Sequence, residues 1–238
     1  MLRIGMLGGT SWESTAEYYR LANEAVRDRL GGYHSARIVL VSVDFAPLEA
    51  AMSAGRWADA GALLAAEAQR VEAAGADLLL LCTNTLHKVA SAITDAVSIP
   101  FLSLVDATAE AALHGGHRRV GLLGTAFTME DGFYRDGLAR HGVEAIVPDA
   151  EGRAAVHRVI FEELVLGVVR PESRRVYRDV MARLVAAGAE AVVLGCTEIE
   201  LLVDATDCAV PLLATTRLHV DAAIGRALEA ELIESAAR

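Results

Sequence analysis

Short apolar runs alternate with longer amphipathic segments in the first half of the chain, a pattern typical of strands followed by helices. Two helices are predicted to end at glycine, one before Gly31 and one, Trp57–Ala74, before Gly75. Shorter helices are predicted near Asn84–His87 and over 106–113, with a loop or short helix at 45–52. Strands are predicted at Arg3–Leu7, Arg37–Val43, Leu78–Leu81 and Ile99–Leu104. Because strands alternate with helices, we expect a parallel sheet.

The second half of the chain repeats the first, each repeated segment lying 111 to 116 residues after its partner. The pairs are Arg3–Thr10 with Arg119–Thr125, Ala73–Asp77 with Ala186–Glu190, the two cysteine strands, and Ile99–Leu102 with Val210–Leu213. Four ordered repeats indicate an internal duplication. We therefore expect an α/β fold with two similar lobes, their parallel sheets related by a pseudo-twofold axis and the active site in the cleft between them.

The domain boundaries follow from the repeats and from the last helix. An amphipathic helix is predicted over Val220–Ile233 and is expected to pack back on the first half. Helices are also predicted at Ala154–Leu166 and Glu172–Ala187. The N-terminal lobe is thus predicted to comprise residues 1–99 and 209–238, and the second lobe residues 100–208.

Two cysteines follow buried strands in matching contexts. Leu78–Leu81 leads into Cys82-Thr83-Asn84-Thr85, and Val192–Gly195 leads into Cys196-Thr197-Glu198. Open α/β sheets place their chemistry at the carboxyl ends of strands. Backbone N–H groups and hydroxyls at such turns bind carboxylate or phosphate, and Gly8-Gly9-Thr10 and Gly124-Thr125 predict two further turns of this kind.

If the two halves face each other, two thiols confront one small anion from opposite sides. That geometry suits removal of a proton from one face of a carbon and delivery of a proton to the other face. A cysteine base needs a lowered pKa, which a helix N-terminus or a cation can provide, and both cysteines precede predicted helices. His87 and Glu198 follow their cysteines closely and are candidates to tune the thiols or relay protons. Cys208 has no motif around it and is interpreted as a small apolar residue.

Composition and motifs exclude several classes of partner and cofactor. A formal net charge of −10 argues against nucleic acid and anionic membranes as partners. Three cysteines do not suggest a disulfide framework, and neither a signal peptide nor a membrane span is apparent, so a cytoplasmic location is expected. The spacing of cysteines and histidines does not favour a metal site. Dinucleotide and triphosphate fingerprints are missing, and no lysine lies in a strand context that suits pyridoxal phosphate, so no cofactor is expected.

Three motifs together resemble the aspartate/glutamate racemase family: Gly8–Thr15, Cys82–His87 and Gly195–Ile199. The resemblance covers essentially the whole chain and is closest to the aspartate-racemase-like, broad-specificity amino-acid racemases. It implies racemisation without a cofactor by Cys82 and Cys196, in a cleft between two domains and usually in a homodimer. It also implies that Thr83, Asn84 and Thr85 bind the substrate carboxylate, with Thr10, Thr125 and Thr197 as further contacts.

The chain departs from dedicated aspartate racemases at two places. Those enzymes carry basic residues after the second strand and in a helix of the second domain, whereas the corresponding segments here are Phe45–Leu48 and Leu164–Gly167, without Lys or Arg. The substrate is therefore expected to be aspartate or one of a broader set of polar or uncharged amino acids such as homoserine. Alternatives are a related cysteine enzyme of this fold (a hydantoin racemase, maleate isomerase or decarboxylase) and a non-catalytic small-carboxylate-binding protein.

Overall fold

A computed structural model describes residues 1–236, with side chains described through residue 229. The chain forms two compact units, unit 1 from residues 1–104 and the segment that begins at His219, and unit 2 from Val105–Leu218. Each unit contains one four-stranded parallel sheet within the described residues. Among residues 1–236, none of the helices combines the length and apolar character that a membrane crossing requires.

Unit 1 contains strands β1 (Ile4–Gly8), β2 (Ile38–Ser42), β3 (Leu78–Leu81) and β4 (Phe101–Leu102), in the order β2-β1-β3-β4. Its α-helices are α1 (Trp12–Leu30), α2 (Phe45–Ser53), α3 (Trp57–Ala73), α4 (Ala90–Thr94) and most of α10 (Thr215–Ala236). A 3₁₀ helix, Thr85–Val89, follows β3. The central strands β1 and β3 are buried along their whole length, as expected for a parallel sheet covered on both faces.

Unit 2 repeats this topology with β5 (Arg119–Gly124), β6 (Glu144–Ile146), β7 (Ala191–Gly195) and β8 (Leu212–Ala214), in the order β6-β5-β7-β8. Its α-helices are α5 (Leu104–His114, of which Val105 onward belongs to unit 2), α6 (Ala126–Glu130), α7 (Gly132–Arg140), α8 (Ala150–Glu162) and α9 (Pro171–Ala186). Short 3₁₀ helices lie at Leu164–Leu166, Thr197–Leu201 and Ala205–Asp207. The second sheet has the strand order of the first, with each strand replaced by its counterpart from the second half of the chain. This agreement confirms the duplicated topology inferred from the repeats.

Most predicted elements are present with ends shifted by a few residues, but the domain boundaries differ from the predicted ones. β4 pairs with β3 in unit 1, and β8 pairs with β7 in unit 2. The predicted boundaries at 99/100 and 208/209 put each of these strands in the other lobe. In each half, the strand after the proline pairs within its own sheet before the chain passes into the other unit. The unit boundaries therefore lie later in the sequence, at Leu104/Val105 and Leu218/His219. Residues 237–238 of the predicted first lobe lie outside the described residues.

Each unit has its own apolar core. In unit 1, buried residues of α10 (Val220, Ala223, Ile224 and Ala227) pack in one cluster with β1, α1 and β3. The last helix thus packs on elements of the first half of the chain. In unit 2, α8 and α9 cover β5 and β7, and Cys208 packs against the same cluster, consistent with its interpretation as an apolar residue.

Candidate active site

Cys82 lies immediately after β3, at the carboxyl end of a central strand. Its backbone N–H donates to the carbonyl of Leu7 in the neighbouring β1 at 2.9 Å, which fixes the start of the turn. The side chain is fully buried, and burial raises the pKa of the Cys82 thiol above its ordinary value because a thiolate loses hydration there. In the protein alone, Cys82 is therefore a neutral thiol at neutral pH.

The turn after Cys82 is held by His87. Asn84 and Thr85 are buried, whereas Thr83 is partly exposed. The Leu104 N–H donates to His87 Nε2 at 3.0 Å, so Nε2 is an acceptor, and Nδ1 carries the proton that it donates to the Thr83 carbonyl at 2.6 Å. Both ring nitrogens are thus occupied by the backbone. This arrangement supports a structural role for His87 next to Cys82 and does not support the proton relay considered from the sequence.

The turn after β1 lies beside Cys82 because β1 and β3 are neighbours in the sheet. Gly9 has φ +95°, and its N–H donates to Thr15 Oγ1 at 2.8 Å. A Cβ on Gly9 would come within 2.2 Å of the Val43 carbonyl oxygen, so this position needs glycine for both conformation and space. Thr10 is partly exposed. The Gly9 N–H, one of the backbone donors predicted for the anion, is thus engaged within the protein.

Cys196 occupies in unit 2 the position that Cys82 occupies in unit 1, directly after the third strand of the repeat. Its thiol donates to Glu198 Oε2 at 2.9 Å, and Glu198 is only 6% exposed. The pKa of Cys196 is raised well above its ordinary value, first by burial and then by the negative charge of Glu198 and its hydrogen bond with the thiol. Burial and Glu198 together therefore keep Cys196 in the protonated form.

The fourth turn follows β5, the neighbour of β7. Thr125 is buried and caps α6, its Oγ1 accepting the Thr128 N–H at 3.3 Å. The Ala126 N–H donates to His157 Nδ1 at 3.1 Å. His157 is thus a specific partner of this turn, although no motif in the sequence indicates such a role. The pKa of His157 is lowered, mainly by burial and against the opposing charge of Glu130, which favours the neutral acceptor form.

The structure thus gathers the predicted site residues into two groups, one in each unit. Unit 1 holds Thr10, Cys82, Thr83, Asn84, Thr85 and His87, and unit 2 holds Thr125, Cys196, Thr197 and Glu198. The expectation that helix N-termini lower the thiol pKa values is wrong, because each cysteine is followed by a 3₁₀ helix of only five residues and burial dominates. Within residues 1–236, no group of three or more His, Cys, Asp or Glu side chains is placed to hold a metal ion.

Comparison with solved structures shows that the fold is shared over nearly the whole chain. A candidate Asp/Glu racemase of Yersinia pestis is 48% identical, covers 96% of this chain and is itself covered completely, with a TM-score of 0.91. An aspartate racemase homologue of Pyrococcus horikoshii OT3 is 33% identical over 95% of this chain and 99% of its own, with a TM-score of 0.84.

Comparison with curated proteins gives shorter matches. A broad-specificity amino-acid racemase of Bacillus subtilis (strain 168) is 24% identical over 61% of this chain and 63% of its own length. The curated relatives are matched over 52% to 67% of their own lengths. The profile of the Asp/Glu/hydantoin racemase family, in contrast, matches residues 7–223. The chain therefore belongs to the Asp/Glu/hydantoin racemase family, whose racemase members are isomerases.

Proposed function

We propose that this protein is a cofactor-independent amino-acid racemase in which Cys82 and Cys196 act as the two acid/base groups. Family membership supports the racemase activity. The observation that supports the cysteine pair is its equivalence: each thiol directly follows the third strand of one repeat, in two sheets of identical strand order. A duplicated site with one thiol per copy suits a reaction that treats the two faces of one carbon alike.

The proposed reaction moves one proton off the α-carbon and another onto it. One cysteine, as thiolate, takes the α-proton and becomes a thiol. The electron pair left on the α-carbon delocalises into the carboxylate, and the other cysteine donates its thiol proton to the opposite face. The reverse reaction exchanges the roles of Cys82 and Cys196, so protons and charges balance in both directions.

Activation of the first thiol needs a nearby positive charge, because the pKa values of both cysteines are raised in the protein alone. The α-ammonium group of an amino acid supplies such a charge when the substrate binds. A cation beside a thiol favours the thiolate, and closure around the substrate strengthens this attraction by excluding water. The substrate is thus proposed to generate the base that deprotonates it.

The polar side chains of the four turns are proposed to hold the substrate carboxylate and the charge that develops on it. Hydroxyl and amide donors that point at a developing enolate-like charge lower the barrier most when they are fixed in advance. The proposed contacts are Thr10, Thr83, Asn84, Thr85, Thr125 and Thr197. Their rigidity is supported by the hydrogen bonds around them, including those of Thr15, His87 and His157.

The proposed substrate class is polar or uncharged amino acids, with aspartate as a weaker competitor. The segments Phe45–Leu48 and Leu164–Gly167 offer no Lys or Arg to pair with a side-chain carboxylate. The name of the Bacillus subtilis relative, a broad-specificity amino-acid racemase, agrees with this class. A homodimer remains a prediction from the resemblance, and sedimentation of the pure protein tests it.

The two-thiol mechanism is tested by single substitutions. Purified protein is incubated with single enantiomers of homoserine, methionine, alanine and aspartate in deuterated water, without pyridoxal phosphate, and the products are separated by chiral chromatography. Cys82→Ala and Cys196→Ala should both abolish inversion, since each face of the α-carbon loses its only acid or base. Each variant should still exchange the α-proton of one enantiomer, and the two variants should exchange opposite enantiomers.

The third cysteine provides the matched control. Cys208→Ala changes a partly buried thiol outside the proposed site and should retain racemisation. Normal inversion by Cys82→Ala or Cys196→Ala would refute the two-thiol assignment. If both variants exchanged the same enantiomer, the opposite-face arrangement would be wrong although the cysteine chemistry survived. If the unmodified protein inverted none of the amino acids, the same assay with a 5-substituted hydantoin would test the related family activity.

Substrate charge is tested by kinetics. We expect kcat/KM for homoserine, methionine or alanine to equal or exceed that for aspartate, because a side-chain carboxylate would lack a cationic partner. Aspartate winning by two or more powers of ten would show that another cation reaches the substrate. Lys88, the sole lysine of the sequence, would then be the first residue to substitute.

A further inference from the structure

A buried chain of hydrogen bonds joins α1, α10 and β4 in unit 1. Tyr18 and His219 are fully buried, and the Tyr18 hydroxyl lies 3.0 Å from His219 Nδ1. His219 Nε2 lies 2.9 Å from the Leu102 carbonyl, which can only accept. The proton of His219 is therefore on Nε2, and the Tyr18 hydroxyl donates to Nδ1. Tyr18 and His219 are 201 residues apart in the sequence.

A second histidine, His87, connects this network to the Cys82 turn through a contact between the two rings. The rings of His219 and His87 lie edge to face with centroids 6.0 Å apart. His87 accepts the N–H of Leu104 and donates to the carbonyl of Thr83, as described above. The two histidines thus bind the backbone on both sides of Ser103, and His87 links it to the peptide that follows Thr83.

The network needs both histidines to be neutral, because each uses one nitrogen as an acceptor. Burial, reinforced by the nearby His87, lowers the pKa of His219 to about 3, against the favourable bond to Leu102. A neutral histidine with both nitrogens bonded avoids the cost of an unsatisfied buried polar group. Two apolar residues of similar size would fill the same space, but the hydrogen-bonded histidines also fix the orientation of the groups that they bind.

The position of the network relates it to Cys82 rather than to the core in general. Cys82 and Tyr18 belong to one buried cluster, and the partly buried Leu102 packs against it. The chain leaves unit 1 after Leu104 and re-enters it at His219, so both points of passage between the units lie at residues of the network. The network therefore fixes the backbone of unit 1 at both points where the chain passes between the units, together with the Thr83 carbonyl in the turn after Cys82.

We propose that Tyr18, His219 and His87 are positioning residues that hold the Cys82 thiol in the direction needed for proton transfer. This inference rests on the proposed racemase function. The bond that His87 donates to the Thr83 carbonyl fixes the Thr83–Asn84 peptide and so restricts Thr83, the residue bonded to Cys82. Tyr18 and His219 fix the strand end from which the Leu104 N–H reaches His87. Loosening any of these bonds should impair the proton transfer at Cys82 and spare the transfer at Cys196.

The test uses primary deuterium isotope effects, which do not depend on the fraction of folded enzyme. The substrate is the amino acid that the unmodified protein inverts fastest, deuterated at the α-carbon in both enantiomers. The enantiomer that Cys196→Ala still exchanges is the one that Cys82 deprotonates. In Tyr18→Phe, the Cys82 step should become slower relative to the Cys196 step. The isotope effect on kcat/KM should therefore increase when the reaction starts from the enantiomer that Cys82 deprotonates, and decrease when it starts from the opposite enantiomer. The value of kcat/KM should be reduced by up to about 100-fold.

Two further variants sharpen this test. His219→Gln keeps a donor and an acceptor and should recover part of the loss relative to His219→Leu. Tyr177→Phe is the matched control. Like Tyr18, Tyr177 is a fully buried tyrosine with a hydrogen-bonded hydroxyl, but it lies in unit 2 and donates to the Val156 carbonyl. It should not raise the isotope effect from the Cys82 enantiomer.

The outcomes separate this inference from the proposed function. Unchanged isotope effects in Tyr18→Phe and His219→Leu, in a protein that racemises normally, would overturn the positioning role alone. Loss of all racemisation in the unmodified protein would overturn the proposed function and the inference with it. Nitrogen-15 NMR gives a readout without activity: at pH 7, His87 should carry its proton on Nδ1 and His219 on Nε2, and the opposite assignment for His87 would refute the network.

Discussion

Glu198→Gln provides a direct test of how the protein holds Cys196 as a thiol. In the native protein, the Cys196 thiol donates to Glu198 Oε2 at 2.9 Å, and the carboxylate disfavours the thiolate through its charge. Glutamine keeps the shape of the side chain and removes the charge. Its amide can also donate to a thiolate, whereas the carboxylate can only accept. The substitution should therefore lower the pKa of Cys196 and make it react faster with alkylating agents at neutral pH.

The magnitude follows from the repulsion between the two negative charges, which separate beyond the 2.9 Å of the hydrogen bond once the shared proton is lost. Two unit charges about 4 Å apart repel by about 4 kcal/mol at an effective dielectric constant of about 20, which corresponds to roughly a thousandfold change in thiolate population. Cys196 is partly exposed, so solvent screens part of this repulsion. A less basic thiolate is also a weaker nucleophile, which cancels about half of the remaining gain on a logarithmic scale. We expect alkylation of Cys196 at pH 7 to accelerate about 10-fold.

The assay is iodoacetamide labelling followed by peptide mass spectrometry, which distinguishes Cys196 from Cys82 and Cys208. Glu198→Asp retains the charge and should react much as the unmodified protein does. Glu200→Gln removes a neighbouring charge that contributes less to the pKa of Cys196, so its effect should be clearly smaller. Equal or slower labelling of Cys196 in folded Glu198→Gln would refute the reasoning.

Two other predictions concern stability. Because the folded pKa of His219 is about 3, below the ordinary 6.5, its contribution is fully present above pH 6.5 and is lost as the pH falls toward 3. Between pH 6 and 4, the free energy of unfolding should therefore fall about 1.4 kcal/mol per pH unit more steeply than in His219→Gln, measured by urea denaturation. The exposed His34→Gln is the control, and parallel slopes in all three proteins would contradict the assignment. Gly195→Ala would bring a Cβ within 2.7 Å of the Leu123 carbonyl oxygen, so it should cost about 1–3 kcal/mol and displace Cys196, lowering kcat/KM. Unchanged stability and activity would show that the two strand ends can separate without cost.

Much of the fold could be predicted because the signals were local and occurred twice. The leucines of β3 and the Cys-Thr motif that follows are contiguous in the sequence, and the same pattern returns at β7. The repeats predicted two similar sheets, and the observed strand orders agree. β6 could not be predicted, because it is an edge strand of only three residues with a glutamate at its start. Such a segment is too short to show the alternation of apolar and polar residues that marks a strand.

The parts of the site that could not be predicted depend on contacts between distant residues. No local pattern links Tyr18 with His219 or predicts that His219 is fully buried. The same holds for His157, whose partner Ala126 is 31 residues away. The pKa values of the cysteines were misjudged for a related reason: the sequence shows that a helix follows, but not that it is a short 3₁₀ helix or that the thiol is buried.

The division of the chain also has a consequence for synthesis on the ribosome. Unit 2 is one continuous stretch, whereas unit 1 needs α10, which is synthesised after unit 2. Until α10 emerges, the apolar surface that Val220, Ala223, Ile224 and Ala227 cover in the finished protein has no partner from that helix. Translation of residues 105–218 takes roughly 6 to 23 seconds at about 5–20 residues per second. During that interval, the first sheet is exposed to aggregation and to chaperones, while unit 2 can complete its own core.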